Sequence, residues 1–108
     1  MRDLSREIMT NLNLSYYYIY ILVSDKDGKF YVGFTQNLSL RFEEHQSGKV
    51  PSTKYRTPLR LIYFEGCICK EDAVKREKYL KTHYGKMFLG NRLKSYFNIN
   101  NQNSIDNE

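Results

Sequence analysis

Three groups of side chains in this sequence stand at spacings that let them act together. Tyr16, Tyr18, Tyr20 and Leu22 alternate along one stretch, and Tyr31, Gly33 and Thr35 alternate along the next. Alternate residues of an extended strand point to one side, so each set faces one way. Phenols serve stacking or acid–base work, and Gly33 beside them leaves room for something to approach. Tyrosines packed under a helix are the structural use of the same pattern. Arg41 and His45 lie four residues apart, which puts them together along one edge of a helix. Glu77 sits in the middle of a stripe formed by Ala73, Leu80 and Tyr84. A carboxylate there is partly buried, which is costly unless it is paired, hydrogen-bonded or bound to a cation. A salt bridge to an arginine at the core edge is the structural alternative.

The elements that must position these groups follow from periodicity and turn chemistry. Residues 16–23 are rich in aromatic and β-branched side chains and read as a strand. Asp27-Gly28 signals a hairpin, with residues 29–35 as the return strand. Ile19, Ile21 and Val23 then share an apolar face with Phe30, Val32 and Phe34. Asn37 caps a predicted helix over residues 38–46 that Ser47-Gly48 closes, with Leu38 and Phe42 as its apolar stripe and Leu40 pointing away. A basic loop spans residues 49–58, and residues 59–65 read as a third strand. Residues 70–84 form the clearest helix, acidic in its first turn and basic later, as the helix dipole prefers; Gly85 is expected to end it. Residues 87–97 form a last short helix bearing Asn91, Arg92 and Lys94. The predicted organisation is an N-terminal extension over 1–14, one domain over 15–97 and a disordered Asn-rich tail over 98–108.

With 108 residues, 41% apolar and 27% charged, the chain suits one folded domain and excludes a disordered, collagen-like or membrane-embedded protein. The longest apolar run, residues 16–23, falls far short of the roughly 20 residues that span a bilayer. Arg2, Asp3, Arg6 and Glu7 precede no apolar signal segment, so the expected setting is the cytoplasm, without a membrane partner. Lys and Arg number 17 against 12 acids, a net charge of +5. The excess is concentrated: residues 46–60 hold Lys49, Lys54, Arg56 and Arg60 with no acid, and seven bases in 75–94 face Glu77 alone. Such basic stretches attract polyanions, nucleic acid foremost, although a solubilising surface has the same composition. Cys67 and Cys69 are too close for a structural disulfide and lack a second pair for zinc, so both are expected as half-buried thiols at a strand end.

Taken in order, Tyr18-Ile19-Tyr20, Tyr31-Val32-Gly33, Arg41-x3-His45 and Glu77 in a helix resemble the GIY-YIG nuclease family. Ser52-Thr53-Lys54-Tyr55-Arg56-x-Pro58 and Lys75-Arg76-Glu77-Lys78-Tyr79-Leu80-Lys81 are similar to its small stand-alone bacterial members. Tyr18 stands where the family name has its first Gly, and Val32 replaces Ile. The resemblance implies an α+β fold, a small three-stranded antiparallel sheet flanked by helices. It implies a metal-dependent endonuclease that hydrolyses DNA phosphodiester bonds, in repair or recombination, with RNA left open as a substrate. Glu77 would be the metal ligand, for Mg²⁺ or Mn²⁺, which take oxygen donors and keep most of their waters. Tyr20 or Tyr31 would be the general base. Arg41 would brace the phosphate, His45 would orient a tyrosine or relay a proton, and Asn91 falls near a family asparagine. Lys49, Lys54, Arg56, Lys78 and Lys81 are the expected contacts to the nucleic-acid backbone. The rival reading is a nucleic-acid-binding module that keeps the fold without turnover. The expected assembly is a monomer or a weak homodimer.

Overall fold

A computed structural model describes residues 15–99; the expected extension over 1–14 and the tail from residue 100 lie outside the described residues. The chain divides into two compact units, one ending at Glu77 and the other starting at Lys78. The first unit is built on an antiparallel sheet of β1 (Tyr17–Ser24), β2 (Phe30–Thr35) and β3 (Leu59–Cys67), in the order β2-β1-β3. Helix α1 (Leu38–Gln46) lies between β2 and β3 in sequence, and α2 (Lys70–Leu80) follows β3. Helix α3 (His83–Arg92) belongs to the second unit, where residues 94–99 are also helical; residues 98 and 99, expected in the tail, therefore continue a helix. The architecture is the α+β one expected.

β1 is central, and every residue from Ile19 to Ser24 is buried. Both faces of that strand must therefore be covered, and its β-branched and aromatic residues suit that environment. The alternation of faces holds: Ile19, Ile21 and Val23 stand opposite Phe34, Val32 and Phe30, while Tyr18, Tyr20 and Leu22 stand opposite Thr35, Gly33 and Tyr31. On the β3 side the register slips between Ile21 and Leu22, so that Phe64 opposes Tyr20 and Leu61 opposes Leu22. One extra residue in β3 thus keeps Leu59, Leu61 and Phe64 on the Tyr20 face despite their odd spacing. Tyr20, Leu22 and Leu59 form a buried cluster there, against which Tyr31, Leu38, Phe42 and Leu61 pack. Leu38 and Phe42 are the predicted stripe of α1, and Leu40 is exposed.

Several boundaries differ from the expectation. The β1–β2 turn is wider than a two-residue Asp-Gly hairpin: Ser24 N donates to Lys29 O at 3.1 Å and Gly28 N to Ser24 O at 2.8 Å, with Gly28 at φ 69°. The Ser24 hydroxyl accepts from the backbone of Lys26 and Asp27, which organises those extra residues. β3 continues to Cys67 because β1 supplies a partner as far as Tyr17. Cys67 is half-buried at that end as expected, but Cys69 is exposed; both thiols are free. The helix predicted to reach Tyr84 ends at Leu80, because Thr82 begins a new one: its hydroxyl accepts from Gly85 N at 3.1 Å. Gly85 does not end a helix. It is buried inside α3, where a Cβ would collide with the Tyr79 carbonyl and the Leu80 backbone. Tyr84 is 70% exposed and drops out of the stripe.

The loop between α1 and β3 is clasped to the β1–β2 turn. The Arg56 guanidinium pairs with Asp27 at 2.7 Å and donates to the carbonyls of Lys29 and Phe30. The Ser24 hydroxyl donates to Arg56 O at 2.6 Å, and Arg60 pairs with Asp25 at 2.8 Å. Arg56 holds the Asp27 carboxyl down at about 2, from an ordinary 3.8. The clasp is therefore complete above pH ~4 and is lost as pH falls towards ~2. Arg56→Ala and Asp27→Asn are each expected to lower the thermal midpoint at neutral pH and to flatten its fall between those two pH values. Circular-dichroism melts across the range check this, and an unchanged acid profile in both variants would contradict it.

Candidate active site

The site is organised around one phenol. Tyr20 projects from the middle of β1, is 2% exposed, and stands opposite Gly33 on β2. A Cβ at Gly33 would collide with the ring end and phenol oxygen of Tyr20. The room that glycine provides is therefore filled by Tyr20 itself, not left for an approaching ligand. From α1, His45 reaches the same phenol, with its Nε2 2.8 Å from the Tyr20 oxygen. Arg41 stands one turn earlier on the same helix, and its charge acts on that oxygen. Asn37 caps α1 through Leu40 N at 3.1 Å, and this start of the helix sets the two side chains one turn apart on the sheet-facing side.

His45 was expected at a helix edge but is completely buried, and its Nδ1 lies 2.7 Å from Oγ1 of Thr53, which is buried too. Burial, with the Arg41 charge adding to it, lowers the imidazole to about 4, so His45 is neutral at physiological pH. A neutral ring carries one N–H. That N–H and the bare ring nitrogen are shared between the Tyr20 and Thr53 hydroxyls, one ring nitrogen bonding each. Thr53 is the member of the site that sequence reasoning missed. A threonine in a polar loop carries no periodicity, and only the position of His45 shows why its hydroxyl faces inward.

Tyr31 stands opposite Leu22, half-buried, with its ring centroid 4.9 Å from His45 and 6.2 Å from Tyr20. Arg41 is half-exposed and pairs with Glu44 at 3.6 Å. Burial raises the Tyr20 phenol to about 12; Arg41 pulls it down in part, while Tyr31 and the Glu77 carboxylate push it up. Glu77 is half-buried on α2 between Ala73 and Leu80, both wholly buried, as its stripe predicted. The arginine next to it in sequence, Arg76, makes a two-pronged pair with Glu65 at 2.8 and 3.0 Å. Among the described residues no group of three or more His, Cys, Asp or Glu gathers to cage a metal. The donor set that does exist, a carboxylate near phenolic oxygens, fits a hard cation that keeps most of its own water.

Tyr20, Tyr31, Arg41 and His45 are thus together, with Glu77 close enough for its charge to act on Tyr20. Lys49 and Lys54 are exposed on the loop, the Lys54 amine lying 5.1 Å from the Tyr55 ring centre. Arg56, also expected as a backbone contact, has its guanidinium matched by Asp27 and two carbonyls. Lys78, Lys81 and Asn91 are exposed members of the second unit.

The profile of the GIY-YIG catalytic domain matches residues 16–92. The chain is 46% identical over 68 residues to a UPF0213 protein of Limosilactobacillus reuteri, covering 60% of this chain and 70% of that one. It is 38% identical over 77 residues to a UPF0213 protein of Lacticaseibacillus paracasei, covering 68% and 85%. The solution NMR structure of the UPF0213 protein BH0048 from Bacillus halodurans is 34% identical over 68% of this chain and 81% of that chain, with a TM-score of 0.45.

The buried imidazole makes stability pH-dependent in a defined window. The unfolded histidine titrates at 6.5 and the folded one at about 4, so the unfolded chain binds the extra proton and stability falls as pH drops between them. A loss on the order of 2 kcal/mol is expected across that interval, and His45→Gln should remove this limb. Thr53→Val, which leaves the buried Nδ1 of His45 without its partner, should cost about 1–3 kcal/mol, while Thr53→Ser should recover most of it. Urea denaturation at several pH values measures both, and equal losses in the valine and serine variants would refute the hydrogen-bond role.

Proposed function

This chain belongs to the GIY-YIG nuclease family, and on that premise we propose that it is an endonuclease hydrolysing phosphodiester bonds of DNA with a divalent cation at Glu77. The observation that carries this reading is the convergence on the Tyr20 phenol: an imidazole bonds its oxygen, and the charges of Arg41 and Glu77 act on it through space. Pure packing needs no such collection of charges, and binding alone needs only a basic surface.

Each residue has a role that its environment favours. Arg41 is half-exposed and anchored on one side by Glu44, so its planar cation can pair with a non-bridging phosphate oxygen as charge builds on it. Tyr31 is the general base, because it is the phenol of the pair that water reaches; Tyr20 is sealed in, with its hydroxyl committed to His45. His45 and Thr53 hold Tyr20. Glu77 holds Mg²⁺ or Mn²⁺, which when bound polarises the phosphate and stabilises the leaving oxygen. Lys49 and Lys54 are exposed cations suited to backbone contacts. Among the described residues no helix is long and apolar enough to cross a membrane.

The test is cleavage of labelled single-stranded, duplex and branched DNA with Mg²⁺, Mn²⁺ or EDTA. Glu77→Gln should abolish metal-dependent cutting and leave DNA affinity within a few-fold. Tyr31→Phe should slow cutting by about 10²–10⁴-fold. Full activity of that variant would remove Tyr31 from the base role. Tight, salt-sensitive binding with no cutting in either metal would make the chain a binding module.

A further inference from the structure

The face that carries Tyr20 does not end where α1 stops covering it. Towards the start of β1 the face continues as Tyr18, and across the sheet Phe64 stands directly opposite Tyr20 on β3. Opposite residues of an antiparallel pair project from the same face, so Phe64 is the immediate lateral neighbour of the Tyr20 side chain. It is nevertheless 53% exposed. The Tyr18 and Phe64 rings meet edge to face, with centroids 5.9 Å apart at 74°. Gly66, opposite Tyr18, adds no side chain; a Cβ there would press on the Tyr16 and Tyr18 rings at 3.3 Å. The result is an aromatic corner in which Phe64, braced by the edge of Tyr18, is open to solvent.

A single exposed phenylalanine is ordinary on a protein surface. This one is informative because of what lies beside it. The phenol next to it is the one that α1 reaches through His45, with Arg41 one turn earlier on that helix, so a cation and an aromatic corner flank the same side chain. A nucleotide offers the complementary pair on one sugar, an anionic phosphate and a flat π-face. An apolar peptide or an acyl chain fits the ring but brings no anion to the guanidinium. A base inside a duplex brings the anion, yet both of its faces are covered by its stacked neighbours. Only an unpaired base has a face to give.

We infer that Phe64, supported by Tyr18, is a stacking subsite for an unpaired nucleobase adjoining the phosphate held at Arg41, which makes single-stranded or frayed nucleic acid the preferred ligand over closed duplex. This rests on the phosphodiesterase reading above and adds to it the physical form of the substrate.

The experiment measures binding of a short fluorescein-labelled single strand and of a closed hairpin duplex by the full chain in EDTA, over a range of salt. The parallel measurement is cleavage of the same two probes in Mg²⁺ or Mn²⁺. The wild type should bind the single strand more tightly. Phe64→Ala and Phe64→Leu should weaken single-strand binding roughly 10-fold, leaving duplex binding and the salt slope unchanged, because a stacked ring releases no counterions. Phe64→Tyr keeps a π-face and should retain the preference. Equal loss on both probes, no loss on either, or a wild type without preference would overturn the subsite, while Glu77-dependent cutting in the same preparations would leave the nuclease reading intact. If Phe64→Ala instead changes only the oligomeric state in sedimentation, the corner is a contact between copies and the subsite is overturned. Absence of both binding and cutting would bring down the two readings together.

Discussion

Burying the Tyr20 phenol is the constraint from which the rest of this domain follows. A hydroxyl in the interior of a sheet costs several kcal/mol if it is left without a partner, and three elements are arranged so that it is not. β2 supplies Gly33, without which the ring would not fit. Helix α1, started by the Asn37 cap, supplies His45. The loop after α1 supplies Thr53, which occupies the far side of the imidazole. Each member is satisfied by the next, and among the described residues no buried side-chain polar atom is left without a hydrogen bond. A polar chain of this kind is stabilising only when complete, so the helix position, the loop path and the glycine are coupled requirements rather than separate preferences.

That coupling explains what much of the positive charge is for. Of the four bases between residues 46 and 60, Arg56 and Arg60 are matched by Asp27 and Asp25, and they hold the loop that carries Thr53 against the hairpin. Lys26 joins them through the Tyr55 carbonyl. Net charge counts such groups as if they were offered to a ligand. Here they are spent on positioning, and the exposed amines of Lys49 and Lys54 are what that segment presents outward.

Strand pairing and α1 were legible in the sequence because alternation and capping are local signals: that Tyr20 and Gly33 share a face follows from parity, while the wider turn is what sets them opposite each other. Depth was not legible. The helical wheel put His45 beside Arg41 correctly, but it gives direction without distance from the core, and His45 is fully buried where an edge was expected. Gly33 was read as an opening because a missing Cβ looks the same in sequence whether a ligand or a neighbouring ring takes the space. Gly85 misled in a similar way: a glycine that admits a close backbone contact was indistinguishable from one that stops a helix, while the nearby Thr82 held the real start signal. Glu77 stands out in the sequence because its place on an apolar stripe is anomalous, and an anomaly is visible without knowing its partners.

The two site phenols differ little in chemistry and strongly in setting, and the sheet itself makes the difference. Leu22, Leu59, Leu38 and Phe42 seal the face on one side of Tyr20, where α1 lies over it. Beyond Tyr20 the same face opens onto Tyr18 and Phe64. Tyr20 is thus the last residue of a dry interior and the first neighbour of a wet one. A buried hydroxyl at that boundary is fixed by His45 without being exchanged for water, while Tyr31, half-buried, remains accessible to solvent. Rigidity and access are opposed demands on one side chain. Splitting them between two tyrosines at the edge of a sealed core lets the domain meet both with a small sheet and little additional structure.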